Sequence, residues 1–392
     1  MNNANIFIKL LTTMICLWSA LPLVTQAASG VVPAWEFRAG GALWSPLREK
    51  DGIIYFGSDD KKIYALDSKK HRPRWVLETG GSVRSAAAFD EAAVLFASDD
   101  GKLYSLDRAD GKIRWTFDLA DGNAERSNSL FDTNNWDYLK SSPVVVSGVV
   151  YIGSGDGHVY AIDSKSGVLR WKAATGGRVR ATPLVHEGRV YVGSWDKHFY
   201  CLNAADGAIV WKYQTAAEIQ SSATYANGLI VFGGRDPALF ALDPNSGDLR
   251  WKHRYADGSW VESTAVLADG KLVVGSSDSK KVSAFDPANG KELWSSPTGG
   301  WSWATPLIDQ GIVYIGALGA PTYPSPDKRP TAPGFFAFDL NSGKLRWQHQ
   351  TLGGKQRLNG YVNGGVVAQA LVFDGKLIVA DVRGMLKAIP LK

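Results

Sequence analysis

Cysteine is almost missing from this sequence of 392 residues, which contains two. Cys16 lies in an apolar N-terminal run, so a chain trimmed of that run keeps only Cys201 and forms no intramolecular disulfide. Cys201 holds a place that Ala65, Ala161 and Ala241 hold in the repeats described below, which marks it as a small core residue. Beyond residue 27 no stretch approaches the roughly 20 apolar residues that a membrane-spanning helix needs. Sustained helical periodicity is lacking as well, which leaves an all-β chain. Charge of one sign is not concentrated anywhere. The net charge is +5, and the basic residues are spread over every repeat, so nucleic acid is not expected as a partner. The six histidines, His71, His158, His186, His198, His253 and His349, show no metal-binding spacing. No serine, Ser129 included, stands in a motif that would supply a base and an oxyanion site.

The N-terminus reads as an export signal. Lys9 is its only charge, an apolar run extends from Leu10 to Val24, and Thr25-Gln26-Ala27 offers small residues at a cleavage point. The expected division is a signal peptide over 1–27 and one domain over 28–392, giving a periplasmic or secreted protein. Cys16 follows Met14-Ile15 inside the apolar run, so no lipid anchor is expected.

What the sequence does contain is repetition. The stretch from Gly148 to Gly177 reads as two strands around an Asp156-Gly157 turn, followed by a second turn from Asp163 through Gly167 to a strand bearing Trp171. The spacing D-x-x-x-G-x-x-x-W recurs at Asp107, Gly111 and Trp115, at Asp243, Gly247 and Trp251, at Asp286, Gly290 and Trp294, and at Asp339, Gly343 and Trp347. Two copies are degraded: Asn203 precedes Gly207 and Trp211, and His71 stands between Asp67 and Trp75. A period near 40 residues signals a propeller or solenoid. Second strands begin near Ile53, Val94, Val150, Val190, Leu229, Leu272, Ile312 and Leu377, so the expected fold is an eight-bladed β-propeller of four-stranded blades. The last unit stops before its outer strand, and the segment around Trp35 resembles that strand. An N-terminal strand is therefore expected to complete the eighth blade and close the ring.

These repeats resemble pyrroloquinoline-quinone (PQQ) enzyme repeats over essentially the whole chain beyond residue 27. The resemblance implies that Trp35, Trp75, Trp115, Trp171, Trp211, Trp251, Trp294 and Trp347 are structural and dock neighbouring blades. The family includes large quinoprotein dehydrogenases and non-catalytic propellers such as the BamB component of outer-membrane protein assembly, and length and export signal make this chain similar to the second group. The dehydrogenases typically carry adjacent cysteines beside the quinone, and none occur here. They also hold calcium with Glu, Asn and Asp from separate blades. Glu262 and Asn363 fall at possible channel positions, with no third acidic ligand recognisable beside them. No cofactor is expected, with PQQ and calcium as the alternative, and the chain is not expected to be an enzyme.

Departures from the repeat point to a binding face. Insertions run from Ala120 to Leu139, from Ala317 to Gly334 and from Leu352 to Asn363. They fall on the face shared by the second-to-third turns and the links between blades, as do Trp44, Trp136, Trp195, Trp260, Trp301 and Trp303. Just before the inner strands, Arg84, Lys140, Arg180, Gln220, Glu262, Trp303 and Asn363 take equivalent places, with Leu43 or Trp44 in the first unit, and should line one mouth of a channel. The expected function is a monomeric, periplasmic, non-catalytic binding or scaffold protein. It would engage an envelope protein or small ligand on the insertion-bearing face, in outer-membrane protein assembly. The alternatives are a PQQ-dependent redox enzyme or PQQ carrier, and a carbohydrate-binding propeller.

Overall fold

A computed structural model describes residues 32–120, 137–319, 333–351 and 364–391. The leader assigned to 1–27, Trp136 and Asn363 lie outside the described residues. Eight antiparallel four-stranded sheets form the blades of a closed propeller. Blade 4 shows the plan, running from the axis outward through Leu184–His186, Arg189–Gly193, His198–Asn203 and Ile209–Gln214. The two middle strands are the most buried in each blade, because both of their faces pack against neighbouring blades.

Composition explains the local geometry. In the outer strand pair, a small residue lies directly opposite the repeated tryptophan: Ala65 faces Trp75, Ala161 faces Trp171 and Cys201 faces Trp211. The register shifts immediately after each of these residues, bending the outer strand around the indole. Cys201 is fully buried there, and burial pushes its thiol pKa up.

Each indole then reaches into the next blade. Trp171 Nε1 donates to Ala204 O at 3.0 Å, and its ring lies against Gly207, where a Cβ would come within 2.6 Å. Gly207 has φ +76°, so two separate requirements, backbone sign and contact distance, favour glycine at this place. Equivalent bonds run from Trp75 to Arg108 O, Trp115 to Ser164 O, Trp211 to Pro244 O, Trp251 to Pro287 O and Trp294 to Leu340 O. The two remaining tryptophans lie beside the seam. Trp35 stacks on His71 at 5.0 Å, the residue that replaces glycine in the first unit. Trp347 packs with Val379 and Ile389 of blade 8, which has no outer turn to meet it.

Blade 8 is completed from both ends of the chain. Leu371–Phe373, Lys376–Ala380 and Met385–Pro390 are joined by the N-terminal strand Trp35–Arg38, with Trp35 opposite Ala388. Gly40 N donates to Asp60 Oδ2 at 2.9 Å, tying this seam strand to blade 1.

Hydrogen bonds define the two faces. On one, second-to-third turns meet the links between blades, as when Trp195 N donates to Arg178 O at 2.9 Å. On the other, outer turns meet first-to-second turns, as when Ala204 N donates to Gly188 O at 2.9 Å. No described helix is long and apolar enough to cross a membrane.

Candidate functional site

The ring read from the sequence stands four residues before each inner strand. Trp44, Arg84, Lys140, Arg180, Gln220, Glu262 and Trp303 keep that register. The eighth place belongs to Val367, four residues before Leu371, and not to Asn363, because the insertion ahead of blade 8 breaks the spacing carried over from the previous repeat. Trp44, not Leu43, fills the place in the first blade. All eight of these side chains line one axial cavity of about 870 Å³. They are interior groups and not a solvated rim, with Arg180 and Gln220 only 2% exposed and Glu262 3%.

Their charges are matched by acids that the sequence reading missed. Arg180 meets Asp137 through two hydrogen bonds of 2.7 Å, and Arg178 approaches the same carboxylate at 3.5 Å. Arg84 grips Asp59 at 2.8 and 3.1 Å; burial works against its charge, but Asp59 holds its guanidinium pKa above the ordinary value. Asp99 lies 4.0 Å from Arg84 and 3.8 Å from Lys140. Arg235 donates to Glu262 at 3.1 Å and to Gln220 at 3.5 Å. Burial raises the Glu262 pKa against the pull of Arg235, and Asp278 adds to the rise. Such pairs are costly to break singly, because the abandoned partner stays buried and charged.

Aromatic rings fill the remaining sectors. Trp44 stacks on Tyr138 at 5.3 Å, Tyr138 on Trp303 at 6.4 Å and Trp303 on Trp301 at 5.2 Å. Tyr138 precedes blade 3 and Trp303 precedes blade 7, on opposite sides of an eight-membered ring, so this column crosses the axis. Trp303 Nε1 also donates to Ser277 Oγ at 3.0 Å. A second ladder alternates cations and rings: Arg178 lies 5.5 Å from the Trp195 centroid, and Arg235 lies 4.8 Å from Trp195 and 5.0 Å from Trp260. Trp44 and Trp301 are thus buried, and Trp195 and Trp260 half-buried, which removes much of the exposed aromatic surface on which a carbohydrate reading depends.

Apart from Trp195, already named as a face aromatic, the partners in the second-to-third turns were missed, and they had a signal. Asp59, Asp99, Trp195, Arg235 and Ser277 occupy one equivalent place in their second-to-third turns, and it varies as strongly as the ring already identified. Their backbone N–H groups donate to link carbonyls of Ala42, Ser82, Arg178, Glu218 and Trp260, which brings the two sets of side chains together.

Among the described residues, these pairs and stacks fill the link end of the axis. A calcium-held quinone needs several oxygen ligands converging on the cation, and a flat slot for the ring system. Among the described residues, the axial carboxylates of Asp137, Asp59 and Glu262 instead face guanidinium groups, and the indoles stack on one another. The residues present do not fit that cofactor.

A PQQ-repeat family model described as "Outer membrane protein assembly factor BamB" matches residues 27–134, 131–260 and 241–390. Among solved structures, BamB from Moraxella catarrhalis is 16% identical, with 92% of this chain and 98% of that one covered at a TM-score of 0.69. Quinohemoprotein alcohol dehydrogenase from Comamonas testosteroni is 15% identical, with 92% and 77% covered and a TM-score of 0.69. The computationally designed Ika8 protein is 16% identical over 90% and 98%, also at 0.69. Likeness at such identities establishes fold alone. No curated protein matches the chain in sequence.

Proposed function

Since this chain belongs to the BamB family of PQQ-repeat propellers, we propose that it is a periplasmic, non-catalytic binding or scaffold protein that engages an envelope protein during outer-membrane protein assembly. The observation that carries this reading is the axial plug. The groups that a redox propeller would present to a cofactor are committed to each other here, through the Asp137–Arg180 and Asp59–Arg84 pairs and the column from Trp44 to Trp301. A rigid disc of this kind works by presenting turns and links. The partner surface is the face of the links and second-to-third turns, where Arg178, Trp195 and Trp260 are half-buried; Trp and Arg at such places commonly dominate binding energy. The leader over 1–27 delivers the protein to the periplasm, where it acts as a monomer.

Photo-crosslinking in cells tests this. A crosslinker at Lys61 or Lys197, exposed in second-to-third turns, should capture an envelope protein, whereas one at Lys165 or Asn245 in the outer turns should not. The reverse pattern, or dye-linked alcohol oxidation by the purified protein with PQQ and calcium, overturns the proposal.

A further inference from the structure

The plug accounts for one end of the axial cavity. Its walls are the inner strands, and their other ends, beside the first-to-second turns, leave Val146, Tyr225 and Leu267 between 37% and 38% exposed. Among the described residues the channel is thus filled by paired side chains toward the links, and toward the opposite face it is bordered by the exposed Tyr225 and Leu267. Its volume of about 870 Å³ lies within the range of small-molecule sites, roughly 300–1,000 Å³.

One residue breaks the pattern of the wall. Blades 2 to 8 begin their inner strands with Ala, Val, Leu or Thr, as at Val144, Leu184 and Val266, and blade 1 alone begins with a charge, Arg48. Arg48 lines the cavity with these apolar side chains and with hydroxyls, of which Ser142, Thr182 and Ser222 accept hydrogen bonds from backbone N–H groups of the preceding blade. Its Nη1 donates to Leu47 O at 3.1 Å and to Gln369 Oε1 at 2.8 Å, both uncharged, and no carboxylate among the described residues pairs with it. The axial cations of the plug each have an acid; this one does not. Burial accordingly lowers the pKa of Arg48, while Asp59 raises that of Arg84. Arg48 is half-buried, and apart from two neutral oxygens its charge is left to the channel, so an entering anion would supply a countercharge.

We propose that the axial channel is a binding site for an aliphatic carboxylate, its head paired with Arg48 and its chain along Val144, Leu184 and Val266. One guanidinium suits one anionic head, and the aliphatic side chains that begin most of the inner strands suit an unbranched chain. The site is independent of the partner face proposed above, since it lies toward the other side of the disc.

Titration calorimetry of residues 28–392 with decanoate, decan-1-ol and decylammonium is the test. Decanoate should bind at one saturable site and more tightly than decan-1-ol, with decylammonium not binding. Arg48→Leu, which copies the residue of blades 4, 7 and 8, should weaken decanoate binding by about tenfold or more, the usual scale for losing a charge-assisted hydrogen bond. Gln369→Ala removes the uncharged partner and keeps the cation, so binding should persist. Leu267→Trp narrows the end away from the links at an exposed position and should weaken binding with folding intact, a readout that survives if Arg48→Leu fails to fold. Absence of saturable decanoate binding, equal affinity for decan-1-ol, equal losses in Arg48→Leu and Gln369→Ala, or an unaltered Leu267→Trp titration would each overturn the assignment.

Discussion

The rim and the axis of these blades follow opposite rules. At the rim, an indole meets a different position of the next blade, a glycine and a carbonyl, so a single pairing serves at six junctions, from Trp75 against Gly111 to Trp294 against Gly343. At the axis, equivalent positions converge on one another. Eight arginines there would repel, and eight tryptophans would exceed the space, so symmetry itself forbids uniformity. The solution is pairing between unlike residues, as in Arg180 with Asp137 and Trp303 with Tyr138. Uniformity and variation along the repeat thus record whether a side chain meets a fixed partner one blade on or shares the axis with its own counterparts.

The comparison can be broken most severely at the seam. Deleting residues 32–41 removes the strand opposite Ala388 and exposes the buried side of blade 8, and it should abolish the cooperative thermal transition. A truncated protein that melts as the full chain does would mean that rim contacts elsewhere hold the ring without closure.

Next come two single changes of similar size and different cause. Trp171→Ala should cost about 3–5 kcal/mol in urea unfolding through the cavity it leaves. Asp137→Ala should cost about 3–5 kcal/mol by stranding the Arg180 charge in the interior. Adding Arg180→Leu should recover a large part of the second loss and none of the first. Recovery of both, or of neither, would erase the distinction between a rim built on shape and an axis built on charge.

A smaller effect isolates contact from backbone strain. Gly207 and Gly188 both have positive φ, +76° and +71°, but a Cβ on Gly207 strikes Trp171 at 2.6 Å while one on Gly188 meets nothing within 4 Å. Each alanine substitution should cost about 1–2 kcal/mol for the left-handed backbone, and Gly207→Ala should cost about 1–3 kcal/mol more for the overlap. Equal losses would mean that the indole does not lie on the glycine.

The smallest effect separates the regions by the sign of their pH dependence. At the rim, hydrogen bonds from Arg170, Arg250 and Arg346 hold Asp163, Asp243 and Asp339 below the usual carboxylate pKa. Their folded values are depressed, so their stabilising contribution is present above the unfolded value near about 4 and is lost as pH falls further. Exposure keeps it small and sensitive to salt. At the axis, Glu262 is raised chiefly by burial, so its contribution is full below about 4.3 and is lost as pH rises through the folded value. In thermal melts across pH, Arg170→Gln should flatten the acid limb, and Glu262→Gln should flatten the decline above it. The same response from both substitutions would contradict the burial difference.

These regions were not equally legible in the sequence. The Asp, Gly and Trp spacing carried the fold because Trp meets Gly of the following repeat while Asp braces its own turn, and even the His71 departure is absorbed by stacking on Trp35. The axial ring was visible only as variation. Its members could be found by counting back from the inner strands, but not what each one touches. Asp137 and Tyr138 stand in an insertion with no counterpart to align, and Asp59 and Asp99 sit one residue before the repeated Asp60 and Asp100, whose more regular role hides them. The slip from Val367 to Asn363 has the same origin. Where an insertion precedes a link, spacing from the previous repeat no longer measures distance from the next strand.

The seam strand sets the order in which the molecule can become whole. Trp35–Arg38 is synthesised before any blade and finds its partner, Met385–Pro390, only after nearly every other residue has been made. Until then it is an unpaired β segment, and blade 8 offers an unpaired edge of its own. The loop joining these two segments spans almost the full chain. Closing it costs little more than closing one half as long, about 0.6 kcal/mol per doubling, but the search is non-local and therefore slow. The last step of folding is then a latch. Its opening rate, more than the stability of any blade, should govern how long the ring survives mechanical pulling or proteolysis.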